Sequence, residues 1–147
     1  MELIAKGSLQ IMKPIEEVFE AVANPTHLTQ YFVSYSSGRL ETGAELSWEF
    51  GDFPGKFPVH VIEVLPRQSI SFVWDAETKV SITFREQEDG STVVYVSEGA
   101  KELSSDNLVW LRDNTFGWSN FLHCLKAYLE YGINLRKGAF DYRNSSK

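Results

Sequence analysis

SSDNLVWLRDNTFGWSNFLHCLKAYLEYG, residues 104 to 132, is the stretch whose reading decides the fold. Leu108, Leu111, Thr115, Trp118, Leu122, Leu125 and Leu129 recur at alternating spacings of three and four, which puts them on one face of a helix. At about 100° per residue, Phe121 and Tyr128 fall beside that stripe and widen it. Arg112, Ser119, His123, Lys126 and Glu130 take the opposite face. Ser104, Ser105 or Asp106 can cap the start, and Gly132 can supply a left-handed stop. So wide and aromatic a face needs a broad apolar surface to lie on.

The chain upstream reads as strands that would make one. From residue 36 to 99 the apolar period is two. Ala44, Leu46, Trp48 and Phe50 alternate with Glu45, Ser47 and Glu49, a half-buried strand with its two glutamates outward. Residues 51–55 form a loop by composition, and Phe57 to Leu65 is a mixed apolar run ending at Pro66. Ile70, Phe72 and Trp74 make one further strand, and Val80, Ile82 and Phe84 another. Asp89-Gly90 is a hairpin signal leading into the strand Thr92 to Ser97. Short turns between consecutive strands make the sheet antiparallel.

Before the meander, residues 2 to 12 read as a first strand. Pro14 opens a helix carrying Ile15, Val18, Phe19 and Val22, and Asn24-Pro25 ends it and starts a second, about Pro25 to Phe32. After the long helix, the tail Ile133 to Lys147 is polar with an aromatic pair, Phe140 and Tyr142, and either packs back or frays. The expected order is strand, two short helices, antiparallel meander, long helix. The long helix is the one element large enough to cover the inner face of the sheet. A twisted sheet is concave and a helix is straight, so the two meet along part of their length and leave a gap elsewhere. Phe32, Trp48, Phe50, Trp74, Phe84, Trp118 and Phe121 are expected to line that gap.

Composition sets limits. The 147 residues suit one domain, and 43% hydrophobic with 14% aromatic content argues for a packed core. A formal net charge of −6 disfavours nucleic acid or an anionic membrane surface as main partner. The lone Cys124 rules out an internal disulfide. The first residues carry no basic segment followed by a long apolar run, and no stretch approaches the ~20 apolar residues of a membrane span. The expectation is a soluble cytoplasmic domain. Asn144-Ser145-Ser146 matches a glycosylation acceptor and reads as chance in that setting.

Four segments resemble a known family: KPIEEVFEAVANPTHLTQYF (13–32), VIEVLPRQSISFVW (61–74), EDGSTVVYVSEG (88–99) and GWSNFLHCLKAYLEYG (117–132). Together they resemble the START-like, or SRPBCC, superfamily, and more closely the bacterial homologues of the C-terminal domain of the activator of HSP-90 ATPase. Tyr31-Phe32 stands where many relatives have Trp-Phe. The resemblance implies an α+β helix-grip fold over the whole chain with a pocket under the helix. It implies three kinds of function: binding of a lipid-like or aromatic apolar molecule, docking on a chaperone in a stress response, or a cyclase- or hydrolase-type activity. A further N-terminal domain like that of the eukaryotic activators is not expected within these 147 residues, which weighs against the chaperone role.

Candidate chemistry is sparse. No glycine-rich phosphate loop is present, and His27, His60 and His123 have no metal-ligand spacing, so no metal or cofactor is expected. His123 falls opposite the apolar stripe and Cys124 beside it; neighbours on a helix point about 100° apart, which disfavours a catalytic pair. Asn114 falls inside the apolar arc and needs a partner. A hydrogen bond to the sheet or to water would satisfy it; alternatively it orients a ligand.

Overall fold

The computed structural model describes residues 1–75 and 78–144. The chain opens with β1 (Glu2–Ile11), followed by α1 (Ile15–Ala23) and α2 (Pro25–Leu28). The strands β2 (Tyr35–Ser36), β3 (Glu45–Phe50), β4 (Phe53–Leu65), β5 (Ser69–Asp75), β6 (Thr78–Glu86) and β7 (Thr92–Glu102) come next, then α3 (Ser105–Tyr131) and a 3-10 turn, Asp141–Asn144. Among the described residues the strands form one antiparallel seven-stranded sheet in the order β1-β7-β6-β5-β4-β3-β2. The first strand thus pairs with the last. Strand alternation sends one face inward: Trp48 and Phe50, Val59 and Val61, Ile70 and Phe72, Val80, Ile82 and Phe84, Val94 and Val96 are all buried.

The predicted helix is present, and its ends are those the sequence offered. Ser104 Oγ accepts from Asn107 N–H at 3.0 Å, and Gly132 closes the helix at φ 66° in the left-handed region. Its grip on the sheet is uneven. No residue from 105 to 117 is fully buried, whereas Trp118, Phe121, Leu122, Cys124 and Leu125 are. Leu108, expected on the inner stripe, is 49% exposed, because the helix has not yet reached the sheet at its first turns. Leu111 and Leu129 are half-buried.

α3 lies closest to β1. The two meet at Gly7, where a Cβ would stand 3.4 Å from Leu122 Cδ1, at ordinary van der Waals contact. Lys126 Nζ donates to Gln10 O at 2.7 Å, and Met12 N–H donates to Glu130 at 2.8 Å, so the far end of α3 is also tied to the end of β1.

Four boundaries differ from the expectation. The second helix ends at Leu28, not Phe32: Thr29 Oγ1 bonds back to Pro25 O at 2.8 Å, and the turns beyond let the Tyr31 and Phe32 rings pack in different directions. The loop at 51–55 shrinks to Gly51-Asp52, because Phe53 is already in β4, its ring stacked on Phe50 at 4.8 Å. The two-residue β2 has too little pattern to read. β7 runs on to Glu102 rather than stopping at Ser97.

The tail packs back through Phe140, which is buried, and Arg136, ion-paired to Asp52 at 2.7 Å. Ser145, Ser146 and Lys147, and with them the end of the tail and most of the glycosylation match, lie outside the described residues. Among the described residues no helix is long and apolar enough to cross a membrane.

Two leucines of one helix test the uneven grip. Leu125→Ala, at a fully buried site, is expected to cost ~2–5 kcal/mol in chemical denaturation, and Leu108→Ala less than about 0.5 kcal/mol. Equal costs would show that the helix is held along its whole length.

Candidate functional site

Where α3 stands off the sheet, a cavity of about 660 Å³ opens. The sheet contributes Phe50 and Phe53 from the β3–β4 hairpin and Trp74 from β5. The helix contributes Asn114, Phe116, Trp118 and Asn120, with Arg112 and Asp113 at the rim. Phe32, after α2, and Arg136, Phe140 and Arg143 of the tail close the remaining side. The rings touch one another: Trp74 and Trp118 lie 5.4 Å apart between centroids, Phe32 and Phe50 5.3 Å, Phe116 and Phe140 6.4 Å.

Of the residues singled out from the sequence, Phe32, Phe50, Trp74, Asn114 and Trp118 meet at this cavity. Trp48 and Phe121 stand behind it; Trp48 backs Phe32 and Trp74, and Phe121 backs Phe32 and Trp118. Phe84 is elsewhere, edge-on to Phe19 of α1. Phe53, Phe116, Phe140 and the arginines were not singled out. Phe53 lies in a Gly- and Pro-rich stretch whose composition is that of a loop, Phe116 falls off the helix stripe, and the tail's docking has no local signature.

Behind the cavity wall is a residue the sequence reading missed. Glu98 is fully buried on the inner face of β7. Its Oε1 accepts from Asn114 Nδ2 at 2.8 Å and Trp118 Nε1 at 2.9 Å. Its Oε2 accepts from Thr78 Oγ1 at 2.8 Å and Trp74 Nε1 at 3.1 Å. Four neutral donors thus surround one carboxyl, a set suited to a group that only accepts. Burying a carboxylate without such partners would be prohibitive, so the donors are a condition of its being there. Three of the four belong to residues that line the cavity. Asn114 therefore has the sheet partner that was one of its two readings. A signal for Glu98 existed: Thr92, Val94, Val96 and Glu98 continue one inward alternation.

Gly99, next in β7, lets β1 approach closely. A Cβ there would stand 3.1 Å from both Leu3 O and Ile4 Cγ1, beside the register shift between those two residues.

The remaining reactive groups lie away from the cavity. His60 pairs with Glu45 on the outer surface at 2.8 Å. His27 Nδ1 is 2.7 Å from Tyr128 Oη, and His123 is exposed with Nδ1 2.8 Å from Ser119 O. Burial pushes the Cys124 thiol up, away from the reactive thiolate. No group of three or more His, Cys, Asp or Glu placed to hold a metal occurs among the described residues. The cavity itself offers aromatic faces, amide groups, guanidinium donors and one rim carboxylate, the means to hold and orient a molecule.

A curved antiparallel sheet gripped by one long C-terminal helix, with two short helices after the first strand, is a helix-grip protein. The family model for activator of Hsp90 ATPase homolog 1-like proteins matches residues 13–130, and the chain belongs to that family. Its structure is similar to that of protein SSP2350 from Staphylococcus saprophyticus, with 31% identity, a TM-score of 0.81, and 91% of this chain and 96% of that one covered. It is also similar to DynU16, a protein in the dynemicin biosynthetic locus, at 25% identity and TM-score 0.78. That match covers 89% of this chain and 48% of DynU16, so the chain spans about half of that protein. The Aha1 dimer from Colwellia psychrerythraea shares the fold at 19% identity and TM-score 0.76, with 88% and 98% covered. No curated protein sequence matches.

Glu98→Gln tests the donor cluster. An amide has one accepting oxygen, so whichever edge its NH₂ takes, the indole N–H of Trp74 or Trp118 loses its acceptor. Thr78 can rotate and Asn114 can flip to adapt; an indole cannot. The variant is expected to lose ~1–3 kcal/mol of stability, with one of these two indole N–H proton resonances moving upfield. An unchanged denaturation midpoint and unchanged indole resonances would mean that the carboxyl does not organise the wall.

Proposed function

We propose that this chain is a binding module for an apolar small molecule, flat or elongated, held in the cavity between the sheet and the first half of α3. The observation that carries the reading is the wall of Phe32, Phe50, Phe53, Trp74, Phe116, Trp118 and Phe140 around one space. Its size falls in the range of small-molecule pockets, which are mostly apolar with a few placed polar groups. Ordinary core packing would have filled such a space with side chains. Aromatic faces favour rings as occupants, each well-placed pair adding ~0.5–1.5 kcal/mol beyond area burial. Burying about 300 Å² of apolar ligand surface supplies roughly 7 kcal/mol at 25 cal/mol per Å². After association costs, micromolar to millimolar affinity follows.

The family description names activation of an Hsp90 ATPase, and a chaperone-docking role is the alternative. It needs an outward surface rather than an inward cavity. The position of DynU16 in a biosynthetic locus is more in keeping with a small-molecule role.

The test is a titration with a panel of fatty acids, flavonoid-like aromatics and polyketides, followed by tryptophan fluorescence and NMR shifts. Shifts are expected at Trp74, Trp118 and Phe32. Phe116→Ala, at a ring 56% exposed and therefore safe for folding, is expected to weaken binding about two- to tenfold. If no compound moves these residues while the protein raises the turnover of an Hsp90-type ATPase several-fold, the docking role replaces this one.

A further inference from the structure

The cavity is a cationic spot on an acidic protein. Its lining holds Arg112, Arg136 and Arg143 against the single carboxylate of Asp113, in a chain of formal net charge −6. Arg136 is the most firmly built of the three. Its side chain is 15% exposed, and its Nε and Nη2 donate to the two carboxylate oxygens of Asp52 at 2.7 and 3.1 Å. Its guanidinium carbon stands 5.6, 5.2 and 5.6 Å from the ring centroids of Phe32, Phe50 and Phe140. Asp52 holds the group from a neighbouring cleft, outside the cavity lining.

A guanidinium has five N–H donors, and the Asp52 fork occupies two. Nη1 has no acceptor among the described residues and is not sealed from solvent. Arg143 stands 4.3 Å from the centroid of the same Phe140 ring, with no ion pair among the described residues. Two guanidinium groups therefore flank one ring at the end of an aromatic cavity, each with donors to spare.

The charge count is specific. Asp52 answers Arg136, and Asp113 answers Arg112 at 3.0 Å. Arg143 is left without a carboxylate partner among the described residues, a charge enough for one monoanion. The planar fork of a guanidinium matches the two oxygens of a carboxylate, and such charge-assisted bonds strengthen where water is scarce. A cationic ligand would meet this excess with repulsion.

Building on the ligand-binding reading above, we infer that the molecule this cavity takes is a flat apolar carboxylic acid. Its ring lies against Trp74 and Trp118, and its carboxylate is held between Arg136 Nη1 and Arg143.

The experiment compares 2-naphthoic acid with 2-naphthamide, which have the same ring system and differ in charge, by calorimetric and NMR titration of the full chain and of Arg143→Gln. The acid is expected to bind about tenfold more tightly than the amide. Arg143→Gln is expected to weaken the acid about tenfold, bringing it close to the amide, and to weaken the amide less, with the thermal midpoint measured alongside to confirm folding. Raising salt to about 0.5 M is expected to weaken only the acid. Equal binding of acid and amide by the native chain overturns the carboxylate assignment and leaves the cavity reading in place. A preference for the acid that survives Arg143→Gln overturns the placement of the carboxylate. If neither compound shifts the Trp74 and Trp118 resonances at millimolar concentration, the flat-acid assignment is overturned, and the wider ligand panel decides the cavity reading separately.

Discussion

The buried carboxyl of Glu98 is the constraint around which the site is arranged. An acidic group on the inner face of a sheet has to find donors inside the protein. Its donors come from three elements: Trp74 from β5, Thr78 from β6, and Asn114 and Trp118 from α3. One residue of β7 therefore fixes where the helix crosses the sheet and which way two tryptophans face. Trp118 is the first fully buried residue of α3, so the bond to Glu98 marks the point where the helix meets the sheet. A half-filled donor set would be worse than an apolar core, so the cluster works as a unit.

Beyond that point the geometry of a straight helix on a curved sheet takes over. Toward its C-terminus α3 settles onto β1 at Gly7 and is tied there by Lys126 and Glu130. Toward its N-terminus it diverges, leaving Leu108, Val109 and Phe116 exposed. The opening is narrowed by the β3–β4 hairpin and by the tail, clasped to each other through Arg136 and Asp52. The cavity is thus a product of mismatch between two regular elements, preserved because the Glu98 cluster keeps Trp74 and Trp118 from collapsing into it.

The functional consequence is a division of labour along one helix. Its second half is core, where leucines fill space and substitutions act on stability. Its first half and middle form a wall, where aromatic and amide groups face a cavity, and in the proposed binding role substitutions there act on recognition. Membership of the Hsp90-activator homologue family fixes the scaffold, and scaffold alone does not choose between an inward ligand and an outward partner. The aromatic lining and the arginine excess weigh on the side of the ligand.

Local pattern determined a great deal. The three-four spacing from Leu111 to Leu129, the serine cap, the Gly132 stop and the period-two strands specify the long helix, the antiparallel meander and their order, because each depends on a residue and its near neighbours. Part of the site was legible for the same reason: Phe50, Trp74, Asn114 and Trp118 follow from strand alternation and helix angle, and Phe32 from its place beside the short helices. Tertiary structure alone decided the rest. It placed Trp48 and Phe121 behind the cavity and Phe84 against α1, since alternation gives a side of the sheet but not a position across it. It made Glu98 the centre of the wall, since its four donors lie 16 to 24 residues away in sequence. It brought Arg136 to Asp52 across 84 residues, and with it the tail to the cavity. Such contacts depend on how far a helix stands from a curved sheet, a distance set by the packing of the whole and by no single stretch of chain.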